Sequence, residues 1–317
     1  IHSLIESTRN KALSAALSDI SVSLESGLTM GQAMEQHPKI FSSLFLNVIK
    51  VGESTGSLDQ GFLQISDYLT REKETQSRIK SALQYPTMVL IAISIAMMIV
   101  NIYVIPAFKG VFDKMGAELP WQTKALINIS DFTVEFWPYI AGVLVIGFYG
   151  LRQYFQTADG LMTKDRLILR IPGVGSIIQR ASMERFSRSF AMILSAGVPI
   201  IQGISVVSGA IGNQYIGSKL NKMRIGIEKG DSISRMAMSV GLFTPLVVQM
   251  IMVGEETGDI STMLLEAADF YETEVDAELK NLASVIEPFL LVIVGIMVLV
   301  LALGIFLPMW NLSAAMH

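Results

Sequence analysis

The chain has 317 residues, 51% of them apolar and only 16% charged, with a formal net charge of −4. Its mean hydropathy of +0.50 exceeds that of an ordinary soluble domain, so membrane-embedded segments are expected. The absence of cysteine excludes disulfides, zinc–thiolate sites, iron–sulfur clusters and cysteine nucleophiles, and the slightly acidic balance gives no field for nucleic acid.

In chain order, the sequence opens on Ile1-His2-Ser3 with no initiator Met and no unbroken apolar core of a secretory signal. Residues 41–54 have the spacing of an amphipathic helix and run into the phrase VGESTG at 51–56. A long helix is expected over 57–85, aimed at the run Pro86 to Pro106, which carries no charge over 21 residues. That length suffices to cross about 30 Å of hydrocarbon as helix. A second, shorter run spans Phe136 to Leu151, closed by Arg152 and flanked by Trp137, Tyr139, Tyr149 and Tyr154 as an interfacial belt. In 183–210, apolar residues recur at three and four, with AGVP as a stop and restart: Gly197 ends one helix and Pro199 opens the next. Residues 243–256 form another amphipathic helix, ending in VGEETG at 253–258. A long helix over 259–287 leads to the third run, Pro288 to Pro308, with Trp310 beyond. Each run could instead be a buried core helix; length and lack of charge favour spans.

Lys and Arg set the orientation. Arg71, Lys73, Arg78 and Lys80 precede the first span, and Arg152, Lys164, Arg166 and Arg170 follow the second. The intervening loop has Lys109, Lys114 and Lys124, and the tail has none. This modest bias places 1–85 and about 152–287 in the cytoplasm. No Asp, Glu, Lys, Arg or His lies inside the three apolar runs, which argues against a pump or coupled transporter. Gly142, Gly147 and Gly150, with Gly295 and Gly304, offer small-residue faces for helix approach.

The two phrases are offset by 202 residues, Glu53 to Glu255. The same offset places Pro86 on Pro288, Pro106 on Pro308, Phe41 on Phe243, Leu63 on Leu265 and Asp67 on Asp269. With one residue of slippage, Gly27 falls on Gly230 and Asn10 on Asn213. This is an internal duplication: a helical unit followed by a span. The first copy has no counterpart of the start of 183–210, so a helix is expected ahead of Ile1 in a longer parent chain.

Within the phrase, Gly56 and Gly258 suit left-handed helix ends, and Ser57 and Asp259 suit caps of the next helix, Ser57 with Gln60 at capping-box spacing. Gly52 and Gly254 permit close approach of another helix, and Thr55 and Thr257 complete the turn. Glu53 and Glu255 remain without a backbone reason and are expected in domain packing or a partner contact. A phosphate cradle is excluded, since Gly52 and Gly56 are four apart with no Lys and no strand. The only histidines are His2, His37 and His317, and no Ser/His/Asp set or H-E-x-x-H motif occurs. The carboxylates of ETEVDAE, 272–278, read as a solvated helix face in preference to a metal site.

Two copies of V-G-E-x-T-G, FSRSFAMILSAGVPI at 186–200, YP before the first span and EP before the last together resemble one family. It is the inner-membrane platform protein of type IV pilus and type II secretion machines, mannose-sensitive haemagglutinin-type pili included. The resemblance covers essentially the whole chain; the departure is the missing start of the first domain. It implies an all-α fold: two duplicated antiparallel helical-bundle cytoplasmic domains plus three transmembrane helices. The expected divisions are a first domain at 1–85, spans at 86–108, 136–155 and 288–308, a periplasmic loop at 109–135, a second domain at 156–287 and a periplasmic tail at 309–317. The resemblance further implies a multi-pass protein of the bacterial inner membrane, with no enzymatic activity and no cofactor. Its implied partners are a hexameric assembly ATPase, pilin or pseudopilin subunits, alignment-complex membrane proteins, the lipid bilayer and further copies of itself. The other reading to be weighed is a small transporter or channel built from a duplicated unit.

Overall fold

The computed structural model describes residues 2–106 and 121–315, and no strand occurs among them. The first copy contributes α1 (His2–Ser7), α2 (Lys11–Glu25), α3 (Met30–Glu35), α4 (Ser43–Thr55) and α5 (Leu58–Ile99), followed by a π-turn at Val100–Val104. Then come α6 (Trp121–Tyr154), α7 (Ala158–Ile168), α8 (Val174–Ser195) and α9 (Ile200–Ala210). The second copy continues with α10 (Gln214–Glu228), α11 (Ile233–Val240), α12 (Pro245–Thr257) and α13 (Ile260–Ala315).

The duplication is written in the helix ends. Asn10 caps α2, accepting from Ala12 N–H at 3.0 Å; Asn213 caps α10, accepting from Ile216 N–H at 2.9 Å. Thr29 forms a capping box with Gln32 at α3, and Ser232 caps the matched α11. The slippage falls between α3 and α4: helices before it match at 203 residues, Lys11 to Gln214, and those after it at 202, Ser43 to Pro245. At 203, α1 falls on the last residues of α9. The stop at AGVP follows the expected chemistry, with Gly197 at φ +90° after α8 and Pro199 as the N-cap of α9.

Both copies share one compact unit, residues 1–78 and 161–278. A single apolar core joins Ile20 and Ile49 of the first copy to Phe190, Ile204 and Leu220 of the second. Burial of Phe186 and Phe190 on α8 contributes about 1.5–3 kcal/mol for each ring. The Phe186 ring lies 5.6 Å from that of Phe243, and the Tyr271 hydroxyl accepts from Thr244 N–H at 3.0 Å. This packing hangs α13 on α8.

The second unit comprises residues 79–160 and 279–317. Among the described residues, two helical stretches are long and apolar enough to cross a membrane. One window lies in Leu58–Val104, with mean hydropathy 2.3 and no part buried; the other lies in Ile260–Ile296, at 1.8 and 12% buried. Side chains such as Met98, Ile146 and Val292 are more than half exposed, a surface suited to lipid and not to water. Pro86 and Pro288 sit inside continuous helices, and α13 runs on past Pro308. Pro106 is the last described residue before 107–120. The second expected span, 136–155, falls on α6 up to its end at Tyr154, and some side chains of that helix fall outside the described set. Helix begins there at Trp121, so the part of the expected 109–135 loop that is described, 121–135, is helical; no Gly or Pro interrupts it until Pro138.

Close approach fixes the glycine at each repeated turn. A Cβ on Gly254 would stand 2.9 Å from Ile260 Cα, a backbone atom that cannot swing away, and one on Gly52 would stand 3.2 Å from Ser57 O. Gly254→Val is therefore expected to destabilise the unit by about 1–3 kcal/mol. Gly258→Ala, strained by φ +80° with open space around it, should cost about 1–2 kcal/mol. Thermal unfolding of the detergent-solubilised chain, followed by circular dichroism, checks both.

Candidate functional site

The repeated phrase forms the same corner twice. Gly56 and Gly258 end α4 and α12 in the left-handed conformation, at φ 74° and 80°. Thr55 Oγ1 donates to Val51 O at 2.9 Å and Thr257 Oγ1 to Val253 O at 2.8 Å, closing each last turn. Asp259 Oδ1 accepts from Thr262 N–H at 3.2 Å, capping α13. The Ser57 hydroxyl instead pairs with Thr55 Oγ1 at 2.6 Å, so the capping-box spacing with Gln60 is not used that way.

The glutamates point back to the preceding short helix. Met30 N–H donates to Glu53 Oε1 at 2.6 Å and Gly31 N–H to Glu53 Oε2 at 3.0 Å. In the second copy, Ile233 N–H donates to Glu255 Oε1 at 2.7 Å and Ser234 N–H to Glu255 Oε2 at 3.1 Å; Ser234 Oγ adds a donor at 2.7 Å. Each carboxylate thus closes the N-terminus of a neighbouring helix, taking the two N–H groups that the N-cap side chain leaves over. Burial alone would raise both pKa values. The hydrogen bonds outweigh it: Gly31, Met30 and Thr29 hold Glu53 below the ordinary value, and Ser234 and Ile233 do the same for Glu255.

A second constellation runs along α5, α8 and α13. Arg188, 9% exposed, reaches Glu184 Oε1 at 3.3 Å, Asp269 Oδ1 at 3.1 Å and Glu272 Oε2 at 3.0 Å. Glu272 is shared with Arg78, which also holds Asp276 at 2.8 Å. Arg180 pairs with Glu274 at 3.2 Å and with Glu278, and Arg185 pairs with Glu72 at 2.9 Å. Burial pushes the Glu184 carboxyl up despite Arg188 beside it; Glu272, also raised by burial, ends below the usual range because Arg78 and Arg188 hold it. The carboxylates of 272–278 are therefore not the solvated face expected, because arginines of α5 and α8 occupy them. Among the described residues, no His, Cys, Asp and Glu group is arranged to hold a metal. The sequence carried a signal for this seam: Arg188 interrupts an apolar helix face, four residues after Glu184, and the acidic run is its complement.

With the duplicated corner and its capping carboxylates in place, comparison with known proteins identifies the family. The model of the type II secretion system (T2SS), protein F, matches residues 1–106 and 186–308. The two matched stretches end at Pro106 and Pro308, which also coincide under the 202-residue offset. The chain belongs to the type II secretion system protein F family, whose members are structural platform proteins and not enzymes. It is 33% identical over 307 residues to the type IV pilus assembly protein PilC of Thermus thermophilus, covering 96% of this chain and 75% of that protein. It is 30% identical to the type IV pilus assembly protein PilC of Pseudomonas aeruginosa over 305 residues, 96% of this chain and 82% of that protein. The type II secretion system protein F of Pseudomonas aeruginosa is 28% identical over 288 residues, 90% of this chain and 71% of that protein.

Three variants test these sites. Glu255→Ala strands two helix N–H groups and a hydroxyl, and should cost about 0.5–2 kcal/mol. Because both folded pKa values are depressed, the carboxylates stabilise fully above the unfolded value and lose that contribution as pH falls through the folded one. Glu53→Gln with Glu255→Gln should flatten the acid limb of the stability–pH profile, measured by chemical unfolding. Arg188→Ala leaves buried Glu184 without its cation and should cost about 3–5 kcal/mol.

Proposed function

We propose that the chain is the integral inner-membrane platform of a type IV pilus assembly machine. It couples a cytoplasmic hexameric ATPase to extraction of pilin subunits from the bilayer and their polymerisation. The observation that carries this reading is the likeness to pilus assembly proteins over nearly the whole chain, at 33% identity for the Thermus protein. The 28% likeness to a secretion protein supports the second reading, a platform of a type II secretion machine. Two apolar helical windows, little or not at all buried, support a membrane setting. In this proposal residues 1–85 and 156–287 face the cytoplasm, three spans cross at 86–108, 136–155 and 288–308, and 109–135 and 309–317 lie in the periplasm. Gly142, Gly147 and Gly150 have open space at the Cβ position, so helices of pilins, alignment proteins or further copies of the platform can approach closely there. The repeated corner, Gly52 to Gly56 and Gly254 to Gly258, supports domain packing in this scheme and has no catalytic task.

Deletion of the coding sequence in the source bacterium should abolish surface fibres while pilin stays in the inner membrane, and the tagged chain should retain the assembly ATPase in detergent. Intact fibres with a loss of exoprotein release would shift the reading to secretion; intact fibres and intact release would overturn both. Reversal of Glu53 and Glu255 to Lys together should impair fibre assembly, because both capped helices lose their seat.

A further inference from the structure

We infer that the end of α7 and the turn after it, Arg166 to Ile171, form a docking surface for the anionic phospholipid headgroups of the membrane. The inference rests on the proposed reading of α6 as a span, and goes beyond it by giving the duplicated unit a lipid contact of its own.

The segment is anchored from within, so its outer side chains are displayed as a set. Asp165 is buried and accepts from Gln214 N–H at 2.7 Å. Leu169 packs against the apolar core. The turn is closed by its own backbone: Arg170 N–H donates to Leu167 O at 3.0 Å, Ile171 N–H to Ile168 O at 3.2 Å and Gly175 N–H to Ile171 O at 2.8 Å. A Cβ on Gly175 would collide with Leu169 O, so α8 starts tight against this turn. What faces outward is Arg166 and Arg170, together with Leu167 and Ile171, 51% and 48% exposed. Each pair is spaced by four residues, and the two pairs run side by side.

The charges are available to a ligand. Between Leu161 and Gln179 the one acidic residue is Asp165, which is turned inward. Among the described residues, neither Arg166 nor Arg170 pairs with a carboxylate. Arg166 stands 5.8 Å from the centre of the Tyr215 ring, and Lys219 of α10 stands 5.3 Å from the same ring, which adds a third cation beside Arg166.

Cations set among large apolar side chains match the headgroup layer, where phosphates meet the charges and the acyl boundary takes the apolar tips. Tethering favours the membrane over an acidic protein. Helix α6 ends at Tyr154 and α7 begins at Ala158. Along that path Arg166 lies at most about 26 Å from the end of α6. Basic residues so close to the cytoplasmic end of a span meet anionic lipid in every molecule.

The cysteine-free chain allows one spin label to be read at a time. The full chain is reconstituted in bilayers of phosphatidylcholine, with or without phosphatidylglycerol, at low salt. Collisions with oxygen report lipid, and collisions with a water-soluble nickel chelate report water. A label on Ile171→Cys should gain oxygen contact and lose chelate contact when phosphatidylglycerol is present. Arg166→Glu with Arg170→Glu should remove that gain, each arginine counting for about fivefold in the docked population. High salt makes the same test without a substitution. A label on Val145→Cys in α6 should read lipid in both bilayers; if it reads water, the span and the inference fall together. With Val145 in lipid, an Ile171 label open to the chelate in both bilayers overturns the inference alone. A label shielded from both reagents overturns it too, and would mark a protein partner at this surface. Equal lipid contact with and without phosphatidylglycerol rules out the anionic headgroup.

Discussion

Everything in the duplicated unit depends on closing the ends of very short helices. A helix of six residues, as α3 is, cannot satisfy its own first-turn N–H groups, and its N-cap side chain reaches only one of them. The missing acceptor comes from the next helix as the carboxylate of Glu53, and in the other copy of Glu255. Because that carboxylate sits one turn before the left-handed glycine, a single six-residue phrase fixes three things. It ends its own helix, seats the preceding one and turns the chain into the long helix that follows. A carboxylate is suited to this because two oxygens meet two parallel donors, and the helix dipole favours negative charge there.

The corner in turn sets where the stems begin, and the stems meet the rest of the unit through α8. That helix buries Phe186 and Phe190 in a core common to both copies and carries Arg180, Arg185 and Arg188 along the side that faces the acidic positions of α5 and α13. Apolar burial supplies the affinity, and the charge seam supplies register, since each guanidinium accepts only a carboxylate at the right height. A buried pair such as Arg188 and Glu184 adds little net stability over apolar residues of the same size. Its value lies in the cost of misplacing it.

Much of this was legible in the sequence. The all-α class, the duplication, the slippage, the stop at Gly197 and the left-handed ends at Gly56 and Gly258 follow from local rules, which a single chain displays. The role of Glu53 and Glu255 did not follow, because their partners are backbone N–H groups about twenty-two residues earlier, and backbone donors leave no mark in a residue pattern. The ionic seam was missed for a related reason. A helix face rich in carboxylates looks solvated until the arginines that meet it, nearly a hundred residues away for Glu278 and nearly two hundred for Asp276, are placed beside it. The helical start at Trp121 did not follow either, because a polar approach to a span has no apolar run to mark it.

Duplication usually suggests equal use of both copies, but here the chemistry has diverged where the stems are held. The corner is retained nearly residue for residue, Ser54 against Glu256 being the one difference within the phrase. Six and ten residues beyond Asp67 and Asp269 the copies differ in kind, and Lys73 and Ser77 stand where the other copy has Val275 and Leu279.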